Sequence, residues 1–361
     1  MSKNKKQSRG IYTLEEIRTQ PKCWPEAIQK VENSEKKLGK MWENAEEIIF
    51  SGCGSGFNVS CAVAPYAQMV SGKTCRPAHA SDLVVNPECF FSKKRRTLAV
   101  VISRSGQTTE SALALQAAKK HGAVTVALVC FGDSAMAKTA DVPLVLEKAQ
   151  EKSVTTTRSL TAMILAGYYL AEYFSGTRER CSMFKRLPDM ALKGMEKFEE
   201  LGRRISNDAA VKKYAFLGTG PYYGLAREAQ LKVKEMVLLP SDSYVSLDYQ
   251  HGPMSNVDKN MLVAILTSDA GRKYDAALAG NMKKLGGKVF ALCDKAAGGL
   301  GKNTDYLLEL KTGLPDGIRD VLYMPALQFM AYYKSLAVGC DPDNPRNLSY
   351  YVALNKKGVI K

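Results

Sequence analysis

The chain has 361 residues, of which 45% are hydrophobic and 24% charged, and a formal net charge of +15. That length exceeds one compact core and fits two domains, and the composition is ordinary globular usage. No apolar run approaches a bilayer-spanning length and Met1–Gly10 has no signal-type apolar stretch, so a soluble, cytoplasmic protein without a membrane partner is expected.

The basic residues are dispersed. Their only dense clusters are the tail (Lys3, Lys5, Lys6, Arg9) and Lys93-Lys94-Arg95-Arg96, and no nucleic-acid motif accompanies them. A solvated basic surface that attracts small anions fits better than a nucleic-acid partner. The nine cysteines are odd in number and form no CxxC pair, which suggests reduced, mostly buried thiols. Three histidines without a His/Cys cluster offer no metal site, and no cofactor motif is present.

In chain order, a helical preface spans residues 1–44. Thr13-Leu14-Glu15-Glu16 has the spacing of a capping box, with Thr13 as N-cap and Glu16 reaching back. A second helix is expected from about Pro25 to Trp42. Short apolar runs then alternate with helical stretches: Ile48–Phe50, Leu98–Ile102, Val124–Val129 and Val142–Leu146. Continuous apolarity marks strands buried on both faces, and strand–helix–strand order argues a parallel α/β sheet. After a charged helical stretch, Met183 to Arg204, the rhythm restarts with Tyr214–Gly218, Leu262–Leu266, Lys288–Leu292 and Tyr306–Leu310. Both halves open on a strand ending in Gly-x-Gly: Gly52-Cys53-Gly54 and Gly218-Thr219-Gly220. The expected fold is therefore α/β, two tandem three-layer domains at 45–190 and 205–350, followed by a tail at 351–361.

Ser103-Arg104-Ser105-Gly106-Gln107-Thr108-Thr109 lies between a strand and a helix beginning near Glu110. The carboxyl end of a parallel strand is where such sheets bind ligands, and a helix N-terminus offers free N–H groups and a positive dipole end to a phosphate. Ser103, Ser105 and Thr108 add hydroxyls, more than an ordinary N-cap needs. Gly52-Cys53-Gly54-Ser55-Gly56 and Ser153–Ser159 are two further helix N-termini rich in small or hydroxyl residues. Neither a Walker A loop nor a good dinucleotide fingerprint is present. Glu228, Lys232 and Glu235 share one face of a helix, and His251 follows sixteen residues after Glu235 in a loop that continues Gly252-Pro253. By itself such a face is an ordinary solvated salt-bridged surface. As a site, a glutamate moves a proton between adjacent carbons and an imidazole serves the sugar oxygens.

Ile102–Thr108 resembles the SxSGxT phosphate motif of sugar isomerase (SIS) domains. Leu231–Glu235 with His251-Gly252-Pro253 resembles the second SIS domain of the isomerase half of glucosamine-6-phosphate synthase, and Asp341–Leu348 its C-terminal segment. Leu83–Cys89 and Thr13–Trp24 are more similar to the tagatose-6-phosphate ketose/aldose isomerase and galactosamine-6-phosphate deaminase branch. The resemblance implies that Ser103, Ser105 and Thr108 hold the phosphate with Ser55, Gly54 and the backbone of Arg104, and that Val154 and Thr156 line the sugar. It implies Glu235 as the C1/C2 proton carrier and His251, supplied by the neighbouring subunit of a homodimer, as the ring-opening group. Lys232 and Glu228 would complete the polar wall.

The sequence departs from that pattern in three ways. A glutamine-hydrolysing domain is not expected, Gly56 replaces the second serine of the first loop, and Tyr350 stands where the synthase has a ring-opening lysine, with Lys356 and Lys357 as nearby candidates to substitute for it. The expected activity is a phosphosugar aldose–ketose isomerase, or a deaminase or deglycase of the same family. The alternative is a non-catalytic sugar-phosphate-binding regulator.

Overall fold

A computed structural model describes residues 9–355; the tail lysines Lys3, Lys5 and Lys6 and the substitutes Lys356 and Lys357 lie outside them. Helices α1 (Ile11–Thr19), α2 (Trp24–Asn33) and α3 (Glu35–Asn44) precede strand β1 (Glu47–Gly52). The first α/β unit continues with α4 (Ser55–Ser71), β2 (Thr74–His79), α5 (Ala80–Val85), β3 (Thr97–Ser103), α6 (Thr109–Lys120), β4 (Val124–Val129), α7 (Ala135–Thr139), β5 (Val142–Val145) and α8 (Arg158–Ser175). Helices α9 (Arg178–Phe184) and α10 (Leu187–Ser206) connect it to β6 (Lys213–Gly218), α11 (Pro221–Lys232), β7 (Ser241–Val245), β8 (Met261–Leu266), α12 (Arg272–Lys284), β9 (Lys288–Cys293), β10 (Tyr306–Glu309) and α13 (Met324–Ala337).

The first sheet has the order β2-β1-β3-β4-β5 and the second β10-β9-β8-β6-β7, so each runs from its second strand through its first, third, fourth and fifth. All pairings are parallel. β1, β3 and β8 are buried along their whole length, as their unbroken apolar runs require. Helix α8 is apolar all round because both sides are covered: Ser159 through Glu172 are buried.

Four sequence expectations change. The edge strands β2 (Thr-Cys-Arg-Pro-Ala-His) and β7 (Ser-Asp-Ser-Tyr-Val) carry no apolar run, because one side of an edge strand faces solvent; Pro77 is tolerated there for the same reason. The helix expected from Pro25 to Trp42 is two helices broken at Ser34. The stretch Met183–Arg204 is shared by α9 and α10. The capping box does not form: α1 starts at Ile11 behind Gly10, with no side-chain cap. Thr13 Oγ1 instead donates to Asp343 Oδ1 at 2.7 Å, and Glu16 accepts from the Lys152 and Ser153 N–H groups and the Ser153 hydroxyl. A hydroxyl and a carboxylate three residues apart serve any nearby donors, and here the distant chain outcompetes the helix end.

All nine cysteines are free thiols; Cys23, Cys75, Cys130 and Cys293 are buried and Cys89 is exposed. Among the described residues, no helix is long and apolar enough to cross a membrane, and no cluster of three or more His, Cys, Asp or Glu could hold a metal.

Candidate active site

Three helix N-termini meet at the carboxyl edge of the first sheet: α4 behind Gly54, α6 behind Thr108 and α8 behind Thr157. They converge on a cavity of about 200 Å³ lined by Gly54, Ser55, Ser103, Arg104, Ser105, Thr108, Val154, Thr156 and Glu235. Cys53, Ser111 and Met163 also face it, and the segment Leu348–Val352 covers it. Local spacing could not have revealed these last contributors, which are brought in by the fold.

The loop Ser103–Thr108 is built to donate. Gly106 has φ +62°, and a Cβ there would lie 2.3 Å from Ser134 Oγ, so only glycine makes this turn without displacing its neighbour. The Ser103 hydroxyl oxygen accepts from Gly106 N at 3.2 Å and the Ser105 oxygen from Gln107 N at 3.1 Å. Each hydroxyl proton is then left to donate outward. Thr108 is the α6 N-cap, yet its side chain makes no capping bond. The Arg104 side chain turns away from the loop. It pairs with Glu151 at 3.4 Å, donates to the Tyr350 carbonyl at 2.7 Å and lies 3.8 Å over the Tyr350 ring.

Glu151 is a support that sequence reasoning missed. It accepts from the backbone of Thr157, Arg158 and Ser159 and from the Thr157 and Ser159 hydroxyls, capping α8. Its signal was a carboxylate seven residues before a helix start, too loose a spacing to stand out. The loop bearing Val154 and Thr156 is pinned further by Asp343 and Pro342, whose carbonyls accept from Val154 N and the Thr155 hydroxyl. Tyr350 donates its hydroxyl to the Glu151 carbonyl at 3.0 Å, and burial pushes that phenol up to about 12, so it stays neutral.

Glu235 reaches the same cavity from the second domain. It lies in a single π-helical turn, Val233–Val237, that continues α11. Lys232 Nζ is 2.6 Å from Glu235 Oε2 and 3.2 Å from Glu228 Oε1, and both Lys232 and Glu228 are fully buried. This is not the solvated face that charged helices usually show. Burial disfavours the Lys232 ammonium, but the two carboxylates outweigh it and hold its pKa above the usual lysine value. Burial also pushes the Glu228 carboxyl up, against the lowering effect of Lys232. Lys232 and Glu228 are absent from the cavity lining and stand behind Glu235. His251 is exposed, in the loop after Asp248–Gln250, and does not line the cavity of its own chain.

Comparison with known proteins agrees with this architecture. A sequence model of the SIS domain matches residues 41–173 and 209–335. Glutamine–fructose-6-phosphate aminotransferase (isomerizing) of Clostridium tetani is 29% identical over 372 residues, covering 95% of this chain and 59% of that protein. The Aquifex aeolicus protein of the same name is 25% identical, covering 95% and 58%. The chain therefore spans somewhat over half the length of these relatives. Among solved structures, tagatose-6-phosphate ketose/aldose isomerase from Escherichia coli superposes with a TM-score of 0.84 at 23% identity, covering 92% of this chain and 95% of that one. Glucosamine-6-phosphate deaminase from Thermotoga maritima gives 0.72 at 25% identity, covering 91% and 100%.

Proposed function

The chain belongs to the SIS domain family, and from that membership we propose that it is a phosphosugar aldose–ketose isomerase acting on an open-chain sugar 6-phosphate. The observation that carries this reading is that Glu235 lines the same cavity of about 200 Å³ as the hydroxyl-rich loop Ser103–Thr108. The phosphate is anchored at the helix N-termini by Ser55, Ser103, Ser105 and Thr108, and the sugar runs toward Glu235 past Val154 and Thr156.

In the reaction, the Glu235 carboxylate removes the proton from the carbon beside the carbonyl. The electron pair forms an enediol, and Glu235 returns the proton to the neighbouring carbon while a hydroxyl proton moves between O1 and O2. Lys232 does not touch the sugar; its ion pair with Glu235 holds the carboxylate in place. A second copy of the chain supplies His251 to open the ring and protonate the oxygens, a role supported by its exposure and its absence from the cavity of its own chain. Deamination or deglycation would use the same abstraction beside a nitrogen-bearing carbon, and the Thermotoga maritima likeness supports that variant. Tyr350, a neutral phenol hydrogen-bonded to Glu151, provides no amine for ring opening.

The test is solvent deuterium exchange at C1 and C2, followed by NMR, with fructose, tagatose, glucosamine and galactosamine 6-phosphates. Glu235→Gln should keep ligand binding, read by thermal shift, and lose about 10²- to 10⁴-fold in exchange rate. If the unmodified protein binds a sugar phosphate and exchanges no proton in any of them, the regulator reading replaces this one.

A further inference from the structure

The acid–base residues sit in one domain and the phosphate loop in the other, so a proton transfer depends on how the two are held in register. Helix α11, which leads to Glu235, packs on α4, which begins at the phosphate-binding Ser55. They pack tightly at Gly224, where a Cβ would lie 2.3 Å from Ala62 N. One turn from that contact, α4 presents Asn58 to α11.

Asn58 is 5% exposed and both ends of its amide are used. Its Nδ2 donates to Glu228 Oε2 at 2.9 Å, and its Oδ1 accepts from Arg227 Nε at 3.1 Å. Arg227 is itself fixed, its guanidinium lying 5.1 Å over Phe57 and 5.8 Å over Tyr223. The remaining Glu228 oxygen accepts from Ser55 Oγ at 3.0 Å and pairs with Lys232 at 3.2 Å. A continuous chain thus runs Arg227–Asn58–Glu228–Lys232–Glu235, with a branch from Glu228 to Ser55. Of these residues only Glu235 and Ser55 line the cavity.

We infer that Asn58 is a positioning residue of the acid–base site: held by Arg227, it keeps Glu228 ionised and in place, and through Lys232 it sets the orientation and basicity of Glu235. This rests on the reading of Glu235 as the base. A buried carboxylate without its amide donor takes up a proton more readily. The groups acting on Glu228 are few. Lys232 and Glu235 are the charged ones, and α4 contributes the neutral Ser55 and Asn58. If Glu228 becomes neutral, Lys232 is left to Glu235 alone and a negative charge beside Glu235 disappears. Both changes make Glu235 a weaker base.

The expected signature of Asn58→Ala is specific. The exchange rate falls about 10- to 100-fold while ligand binding holds, and the acid limb of the pH–rate profile moves to lower pH. Glu228→Gln should produce the same shift, and the Asn58→Ala/Glu228→Gln double variant should be no worse than Glu228→Gln alone. Arg227→Met, at a half-exposed position, should shift the limb the same way by less. Carboxyl ¹³C titration of glutamate-labelled protein reads the link without turnover, assigned through the Glu228→Gln and Glu235→Gln variants: in Asn58→Ala the Glu228 resonance must titrate at higher pH. A rate loss with an unmoved limb, additive with Glu228→Gln, or an unmoved Glu228 titration, overturns the inference. Absence of exchange in the unmodified protein would sink the isomerase reading instead, and the carboxyl titration would still decide the role of Asn58.

Discussion

Ser103, Ser105 and Thr108 share one loop, and their hydroxyls are committed differently. The two serine oxygens accept from the loop's own backbone, and the Thr108 side chain makes no capping bond. The loop keeps this shape because Gly106 takes a left-handed turn against Ser134. Gly106→Ala should therefore weaken binding of fructose 6-phosphate at least about tenfold and lower stability by about 1–3 kcal/mol, through strain at positive φ. Calorimetry and thermal melting check it, and unchanged affinity would remove the phosphate from this loop. The loop was legible because a hydroxyl-rich helix N-terminus is a local matter: seven consecutive residues hold the donors, the turn and the helix start. Asn58 was not legible, since its partner Glu228 is 170 residues away and an asparagine inside a helix carries no periodic signal.

At the scale of elements, the N-terminal helices serve the active-site loop more than they serve themselves. Glu16 of α1 holds Lys152 and Ser153, immediately before Val154, and Thr13 holds Asp343, whose carbonyl accepts from Val154 N. Glu16→Ala leaves those donors unpaired beside the site. It should cost about 1–3 kcal/mol of stability and speed hydrogen exchange at residues 152–159. If only α1 exchanged faster, Glu16 would be a helix cap after all. The α4–α11 contact is the other decisive element pair, because it joins the loop at Ser55 to the turn bearing Glu235 across the domain boundary. Its sequence trace, Gly224 opposite Ala62, is two small residues in unrelated helices. Only the packing gives them meaning.

At the scale of the molecule, the two sheets share buried polar groups as well as a hydrophobic core. Asp320 lies fully buried before α13, accepting from Gly317 N at 2.8 Å and from Tyr168 of α8 at 3.5 Å. Burial pushes its carboxyl up to about 7, from an ordinary value of 3.8. Between those values the folded chain binds a proton that the unfolded chain releases, so this group's contribution to stability falls as pH rises through that window. Urea midpoints should therefore drop from pH 5 to pH 8 more steeply in the unmodified protein than in Asp320→Asn. A parallel drop would mean that Asp320 is ionised throughout. The proposed division of the site between two chains belongs to the same scale. Glu235→Gln and His251→Ala, each inactive alone, should regain roughly a quarter of the activity when co-assembled, since random pairing puts half of the protein in mixed dimers with one intact site each. No recovery on mixing would put His251 and Glu235 to work within one chain.

The sequence by itself determined the parallel α/β architecture, the two-unit rhythm, the hydroxyl-rich loop at a helix N-terminus and the clustering of Glu228, Lys232 and Glu235, because each is written in neighbouring residues at a period of strand, turn or helix. Tertiary structure alone decided that the charged face is buried rather than solvated, and that Lys232 and Glu228 stand behind Glu235 rather than in the cavity. It also decided that a supposed helix cap holds a loop more than 130 residues away, and that β2 and β7 are strands at all. The physical reason is common to these cases: burial and hydrogen-bond partnership depend on what the fold brings alongside. The same residues, with the same local spacing, would read as an ordinary surface if nothing packed against them.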